Sequence, residues 1–209
     1  MINTIGPHRV RHGDLMQDLE GLIDCPVDMV YSDPPWGEGN LKYWGTMNYK
    51  MTGQVVHPAD LSPFLERYFC VTTDALKPDG IMFLEYGLRW RPLILDFAKR
   101  FGLIVHGIAQ PFYGSPKRPL DLFIMRKVPH VLQESISHGY VASIKGTSGY
   151  ATLHAAAAPY CRPGMVVLDP CCGLGYTARL AINYQMKFIG NELNSARLEK
   201  TILKLRAGL

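Results

Sequence analysis

The chain has 209 residues, of which 47% are hydrophobic and 19% charged. Globular proteins average about 45–50% and about 25%, so this composition excludes a disordered or acidic-tail protein, and a chain of this length predicts one domain over residues 1–209. The net charge of +4, from 22 basic and 18 acidic residues, is compatible with a polyanionic partner without requiring one.

Alternating segments organise the chain. Apolar runs typical of strands buried on both faces occur at residues 27–31, 80–86, 103–110, 120–125, 165–168 and 187–190. Helical spacing and end signals predict helices between Asp60 and Lys77 and over 91–100, 152–161, 176–184 and 195–206. This order predicts an α/β fold with a mostly parallel sheet covered by helices on both faces.

Two segments carry no helix or strand prediction, residues 37–57 and 128–146. Unassigned segments longer than about 12–15 residues are usually functional in compact domains. The first follows Trp36 and contains Tyr43, Trp44 and Tyr49 among glycines and lysines. It is suited to covering a flat ligand, and the alternative is a surface loop that packs its aromatic side chains onto the core.

The first chemical motif, Asp33-Pro34-Pro35-Trp36, follows the strand predicted at 27–31. It lies at the carboxyl edge of the sheet, where open α/β folds bind ligands. Two prolines remove two N–H donors, so the corner offers a carboxylate and carbonyl oxygens. Asp33 and the Pro34 carbonyl could accept both hydrogens of an exocyclic amine while Trp36 stacks on its ring. The alternative is a strand-ending turn with a chance aromatic residue.

The second motif is a strand, a glycine turn and a helix start, from Asp169 to Thr177. Glycines allow a ligand to approach the backbone, and the helix start contributes the positive end of its dipole. Ala178 stands where a third dinucleotide-binding glycine would come, which disfavours a pyrophosphate ligand. Glu192 ends the next strand, as acids that bind ribose hydroxyls do. The alternatives are a packing turn and a solvated strand end.

Together these motifs resemble the S-adenosylmethionine-dependent amino methyltransferases that act on adenine or cytosine in nucleic acids. The catalytic motif precedes the cofactor motif, which is similar to the β class of that family. The resemblance implies a Rossmann-like class I methyltransferase fold with a seven-stranded, circularly permuted sheet. It also implies Asp33, Pro34, Pro35 and Trp36 as catalytic residues. The implied S-adenosylmethionine site comprises Asp14, Asp169, Pro170, Cys171, Gly173, Gly175 and Glu192.

The chain departs from the family pattern in several places, one of them being Thr147-Ser148-Gly149, which stands near the place of the Lys-Pro that the family tends to carry before the cofactor aspartate. Cys171 stands where the β class usually has Phe, and Leu174-Gly175-Tyr176 replaces Ser-Gly-Thr. Only the segment 128–146 occupies the region where the family has a separate target-recognition domain. We therefore expect relaxed sequence specificity, or specificity supplied by a partner or by a second copy of the chain in a homodimer.

The predicted hairpin loop at 111–119 corresponds to a family loop that often touches the target base. Phe112 or Tyr113 could stack on the base, and Lys117 and Arg118 could meet phosphates. The alternative is an ordinary solvated turn.

The resemblance implies methyl transfer to the exocyclic amine of adenine in DNA, because Asp rather than Ser before Pro-Pro resembles the adenine members of the family. The alternatives are an RNA adenine methyltransferase, a DNA cytosine-N4 methyltransferase, and a non-catalytic nucleic-acid-binding subunit with the same fold. Methylation of a protein glutamine is disfavoured, since it would require Asn-Pro-Pro-Tyr after the glycine loop.

The chain also carries signals about its compartment. Its five cysteines include no C-x-x-C pair, and neither they nor the seven histidines have metal-ligand spacing, so we expect reduced thiols and no metal. No apolar run approaches the length of a membrane span, and charged residues occupy the N-terminal segment. We expect a soluble cytoplasmic protein.

Overall fold

The computed structural model describes residues 2–17, 19, 21–53, 60–114, 117–127 and 137–209. The strands in this part of the chain are β1 (Ile2–Ile5), β2 (His8–His12), β3 (Val27–Ser32), β4 (Leu76–Gly87), β5 (Leu103–Ala109), β6 (Phe112–Tyr113), β7 (Arg118–Lys127), β8 (Val166–Asp169) and β9 (Lys187–Glu192). The helices are α1 (Gly37–Thr52), α2 (Leu61–Ala75), α3 (Arg91–Arg100), α4 (His138–Ile144), α5 (Tyr150–Ala157), α6 (Tyr176–Asn183) and α7 (Ser195–Ala207).

The strands form a mixed sheet in the order β1-β2-β9-β8-β3-β4-β7-β5, and β6 pairs with β7 beside this path. The neighbours β2, β9, β8, β3 and β4 are parallel, whereas β7 runs antiparallel between β4 and β5. The predicted α/β class with a mostly parallel sheet is confirmed. The sheet has nine strands rather than the seven expected, because β1 extends the edge at β2 and the short β6 adds to β7.

Strands β1 and β2 have no strand signal in the sequence, because neither contains a buried apolar run. In β2, Val10 is fully buried, but His8, Arg9, Arg11 and His12 surround it. Arg9 forms an ion pair with Asp24, so this polar side chain of β2 has a partner within the protein. Only β1 is an edge strand, since β2 pairs with both β1 and β9.

Two cores lie on opposite faces of the sheet. Val30 of β3 packs into the core that holds the buried residues of α2 and α3 together with Leu41 of α1. Met29 and Tyr31 of the same strand enter the other core, which holds the buried residues of α4, α5, α6 and α7. Because successive side chains of a strand point to opposite faces, β3 is buried on both sides, as expected of a central parallel strand.

Four predicted helices are confirmed as α2, α3, α6 and α7. Helix α5 begins two residues before the predicted start at 152, and a 3₁₀ turn takes its last predicted residues, 158–160. The predicted loop at 37–57 is wrong for residues 37–52, which form α1. Leu41, Trp44 and Asn48 follow helical spacing and turn inward. Residues 54–59 and 128–136 of the two unassigned segments lie outside the described residues, and α4 occupies 138–144.

The sheet brings three acids to one edge. β3 ends just before Asp33, β8 ends at Asp169 and β9 ends at Glu192. β8 pairs in parallel with both β3 and β9, so these carboxyl ends are neighbours. This edge is where the fold positions a site.

All five cysteines are free of disulfide bonds. Within the described ranges, no helix has the length and apolar character needed to cross a membrane.

Candidate functional site

A cavity of about 330 Å³ opens at the carboxyl edge of the sheet. It is lined by the loops that follow β2, β3, β8 and β9, by α1, by the first turn of α7 and by the β6–β7 hairpin. Most of the residues predicted from sequence line it together: Asp14, Asp33, Pro34, Pro35, Trp36, Tyr113, Arg118, Pro170, Cys171 and Glu192. Asp169, Gly173, Gly175, Phe112 and Lys117 are not part of the lining.

Two aromatic side chains support the diproline corner from behind. Tyr86 Oη donates a hydrogen bond to Pro35 O at 3.2 Å and accepts one from the Gly37 N–H at 3.2 Å. Gly37 has a φ of +69°, and a Cβ there would lie 2.2 Å from the Trp90 ring. Glycine satisfies both the left-handed backbone and the close approach. The chain therefore turns from Pro35 and Trp36 directly into α1.

The Asp33 side chain is exposed and lines the cavity. Trp36 Nε1 donates to Asp33 Oδ1 at 2.9 Å, and Oδ2 has no hydrogen-bond partner in the described ranges. Desolvation raises the pKa of Asp33 to about 6, although the Trp36 hydrogen bond and the charge of Arg197 act in the opposite direction. At pH 7 the corner therefore presents a mostly ionised acceptor to the cavity.

A second buried acid, Glu85 of β4, lies close to Asp33. Tyr31 Oη donates to its carboxyl group. Burial, followed by the charge of Asp33, raises the pKa of Glu85 to about 8, so it is mostly protonated at pH 7. Sequence reasoning missed this residue, and its signal is a single acid inside the apolar run 80–86.

The glycine loop after β8 is held from below by Asp169. Thr177 Oγ1 donates to Asp169 Oδ2 at 2.7 Å, and the Cys171 N–H donates to Oδ1 at 3.1 Å. Burial raises the pKa of Asp169 to about 7. The role of Gly175 is close packing, because its φ is +77° and a Cβ there would lie 2.7 Å from Thr201 Oγ1. Asp169 and Gly175 thus shape the loop whose Pro170 and Cys171 line the cavity.

Glu192 is buried, which contradicts the alternative of a solvated strand end. Its Oε2 accepts from the Gly173 N–H at 2.7 Å and its Oε1 accepts from the Asn194 N–H at 2.8 Å. Burial raises the pKa of Glu192, opposed by these two donors and by Arg197. The carboxylate therefore connects the glycine loop to the start of α7, and each oxygen keeps a further lone pair for a ligand in the cavity.

The loop after β2 brings Asp14 beside Glu192. The Gly13 N–H donates to the Glu192 carbonyl at 3.0 Å, and Asn191 Nδ2 donates to Gly13 O at 3.0 Å. Asp14 Oδ1 accepts from the Met16 N–H at 3.0 Å. The turn at Gly13 and Asp14 thus lies at the cavity, fixed to the end of β9.

The two aromatic residues of β6 have different environments. Tyr113 is 53% exposed and packs edge-to-face against Trp36, with ring centroids 5.0 Å apart. Phe112 instead pairs with the segment at Thr147 and Ser148. Arg118 lines the cavity, whereas Lys117 lies over the Phe112 ring. Ser115 and Pro116 of this predicted loop lie outside the described residues.

Sequence reasoning missed two parts of the cavity. One is the helical form of the wall at Asn40, Leu41 and Trp44, a segment that the sequence predicts to cover a ligand but does not predict to be a helix. The other is Arg197 in the first turn of α7, which projects into the cavity near Glu192 and Asp33. The helical spacing of Leu41 and Trp44 could have revealed the first, but no local pattern distinguishes Arg197 from a surface arginine.

No protein-family model matches the chain, and neither does any curated protein. Solved structures do match. M1.HpyAVI is 20% identical with a TM-score of 0.63, and the match covers 96% of this chain and 98% of that chain. TTHA0409 of Thermus thermophilus, assigned as a DNA modification methylase, is 16% identical with a TM-score of 0.66, covering 96% and 95%.

The cytosine-N4-specific PvuII DNA methyltransferase is 14% identical with a TM-score of 0.63, covering 94% of this chain and 85% of that chain. Both M1.HpyAVI and TTHA0409 have also been solved as complexes with S-adenosylmethionine. At these identities the likeness concerns the fold. The chain has the α/β fold of a class I methyltransferase, and its neighbours with this fold include DNA methyltransferases.

Proposed function

We propose that the protein is an S-adenosylmethionine-dependent DNA methyltransferase that modifies the exocyclic N6 amine of adenine. The observation that carries the proposal is the meeting of the Asp33–Trp36 corner, the glycine loop and Glu192 in one cavity. The methyltransferase fold of the chain and its solved neighbours support the same class of reaction.

The residues of the cavity fit S-adenosylmethionine. Glu192 and Asp14 offer carboxylate acceptors for ribose hydroxyls and adenine, and the glycine loop gives the backbone a close approach. When bound, S-adenosylmethionine supplies an electrophilic methyl group on a positively charged sulfur. Asp33, with its raised pKa, favours a positively charged neighbour and opens toward the same space.

The Asp33–Trp36 corner binds and orients the base that accepts the methyl group. A target base must leave the helix stack to reach Asp33. Asp33 Oδ2 and the Pro34 carbonyl accept the two amine hydrogens, which directs the nitrogen lone pair outward, and Trp36 and Tyr113 provide aromatic surface for the base. As the new N–C bond forms, the methyl–sulfur bond of the donor would break, so that positive charge passes from the sulfur to the nitrogen, where the carboxylate stabilises it. A carboxylate with a pKa of about 6 is also a better proton acceptor than an ordinary Asp.

The proposal includes a single, circularly permuted domain over residues 1–209 with relaxed sequence specificity. Phosphate contacts by Lys117 and Arg118 and base stacking then supply most of the affinity for DNA. Cytosine N4 in DNA is the second candidate substrate, favoured by the likeness to the PvuII enzyme, which is cytosine-N4-specific.

Mass spectrometry of nucleosides tests the proposal, with DNA and RNA from cells that express the parent chain or Asp33→Ala. We expect N6-methyldeoxyadenosine with the parent, and a rate reduced at least about 100-fold in the variant because one transition-state acceptor is lost. N4-methyldeoxycytidine would identify the second candidate. Methylated adenosine in RNA would show that the substrate is RNA rather than DNA. The proposed chemistry would be refuted if the purified parent chain methylates no nucleoside of DNA or RNA. It would also be refuted if the activity of Asp33→Ala is within about three-fold of that of the parent.

A further inference from the structure

Arg197 occupies an unusual position in the cavity. Its Cζ lies 4.4 Å from the centre of the Trp44 ring, so the guanidinium stacks on the indole of α1. On the glycine loop, a Cβ at Gly173 would lie 2.5 Å from Arg197 Nη2. The guanidinium is therefore fixed between α1 and the glycine loop, and a side chain larger than hydrogen at position 173 would displace it.

Among the described residues, the guanidinium finds no acceptor. Its Nε is buried without a hydrogen-bond partner, and its side chain forms neither a hydrogen bond nor a salt bridge with any residue in the described part of the chain. By contrast, Arg91 and Arg100 pair with Asp121 and Glu66. An arginine carries five N–H donors, and leaving donors unsatisfied in a partly buried position is costly. The arrangement is that of a site prepared for an anionic ligand group.

The surrounding charges indicate where that group belongs. Asp14, Asp33 and Glu192 give the cavity three carboxylates, against which Arg118 and Arg197 are the lining cations. Arg197 is near enough to Asp33 and Glu192 for its charge to oppose the rise in pKa that burial causes in each. It thus shares the cavity with the acid proposed for the ribose and the acid proposed for the amine. The only anionic group of S-adenosylmethionine is the α-carboxylate of the amino-acid branch, which leaves the same sulfur that joins the ribose to the methyl group.

We propose that Arg197, held by Trp44 and Gly173, binds the α-carboxylate of the amino-acid part of the methyl donor. The planar fork of a guanidinium matches a carboxylate with two parallel hydrogen bonds. A nucleic-acid phosphate is the other source of an oxyanion. Arg197 lies against the glycine loop, whereas Arg118 belongs to the exposed hairpin, so the position of Arg197 favours the carboxylate. This inference rests on the proposed function.

Calorimetry with three ligands tests it. S-adenosylmethionine and S-adenosylhomocysteine carry the amino-acid part, and 5′-methylthioadenosine lacks it. We expect Arg197→Gln to weaken binding of the first two about 10- to 100-fold and to change the Kd of the third less than about three-fold. Arg197→Lys keeps the charge and loses the fork, and should give an intermediate loss. Retained binding of 5′-methylthioadenosine shows that the cavity of each variant is folded.

Arg179→Gln is the matched control. Arg179 also stacks on an aromatic ring, with its Cζ 4.3 Å from the centre of Tyr150, but it is exposed and does not line the cavity. Its substitution should leave all three dissociation constants unchanged.

Three outcomes overturn the inference. Equal weakening of all three ligands by Arg197→Gln would mean that Arg197 only supports the cavity, and unchanged or tighter binding of S-adenosylmethionine would mean that it does not contact the carboxylate. Loss of affinity for a short duplex, with the S-adenosylmethionine Kd unchanged, would reassign Arg197 to phosphate. If the parent chain binds none of the three ligands, the proposed function itself fails. This outcome is distinct from a failure of the Arg197 inference, which is measured with a parent chain that binds them.

Discussion

Substitution of Glu192 separates a ligand contact from a structural anchor. The side chain accepts two backbone hydrogen bonds, from Gly173 at 2.7 Å and from Asn194 at 2.8 Å. Hydrogen bonds to a charged group contribute about 1.5–3 kcal/mol each, and Glu192→Ala removes both while it also removes the cost of burying a carboxylate. We therefore expect the ligand-free protein to lose about 2 kcal/mol, which corresponds to a Tm lower by about 4–8 °C at this chain length.

The same change should weaken S-adenosylmethionine binding about ten- to a hundred-fold, because the ribose hydroxyls lose their charged acceptor. Calorimetry measures the affinity and thermal unfolding without ligand measures the anchor. Glu199→Ala, which removes an exposed glutamate from the same end of the chain, is the control and should change neither. A lower Tm with a Kd within about three-fold of the parent would show that Glu192 anchors the loop without touching a ligand, and the assignment of the ribose acid would be wrong.

Two further predictions concern pH and salt. The folded-state pKa of Glu85, about 8, lies above its ordinary value of 4.5, so the folded state binds more protons between these values and stability should fall as pH rises from 5 to 8; Glu85→Gln should make the decline of Tm shallower, and an unchanged slope would contradict the raised pKa. Replacing Lys117 and Arg118 with Ala should weaken binding to every short duplex alike and reduce the slope of log Kd against log salt by about 2 for two lost phosphate contacts; a loss confined to particular sequences in a titration series would mean that these residues read bases.

The central part of the fold could be predicted because its signals are local. The apolar run of β3 and the proline near the start of α2 each determine their own element, and parallel pairing then places Asp33 and Glu192 at one edge. Helix α1 escaped prediction because Gly37 and Gly39 at its start are poor helix formers, and its inward residues find their partners only in the folded protein.

Residues that act through distant partners were beyond sequence reasoning. Arg197 acquires its position from Trp44, more than 150 residues earlier in the chain, and from the absence of a side chain at Gly173. Glu85 becomes protonated at neutral pH because it is buried and because Asp33 lies near it in space. Neither relation has a spacing that a single sequence reveals.

The packing around the diproline corner also makes the site visible to spectroscopy. The chain contains three tryptophans, and Trp36 and Trp44 line the cavity. The third, Trp90, packs against Gly37 and Gly87 directly behind the corner. Intrinsic tryptophan fluorescence of the protein therefore arises entirely from the surroundings of the cavity. A ligand that displaces water from Trp36, or moves the Arg197 charge relative to Trp44, should alter the emission without any attached label.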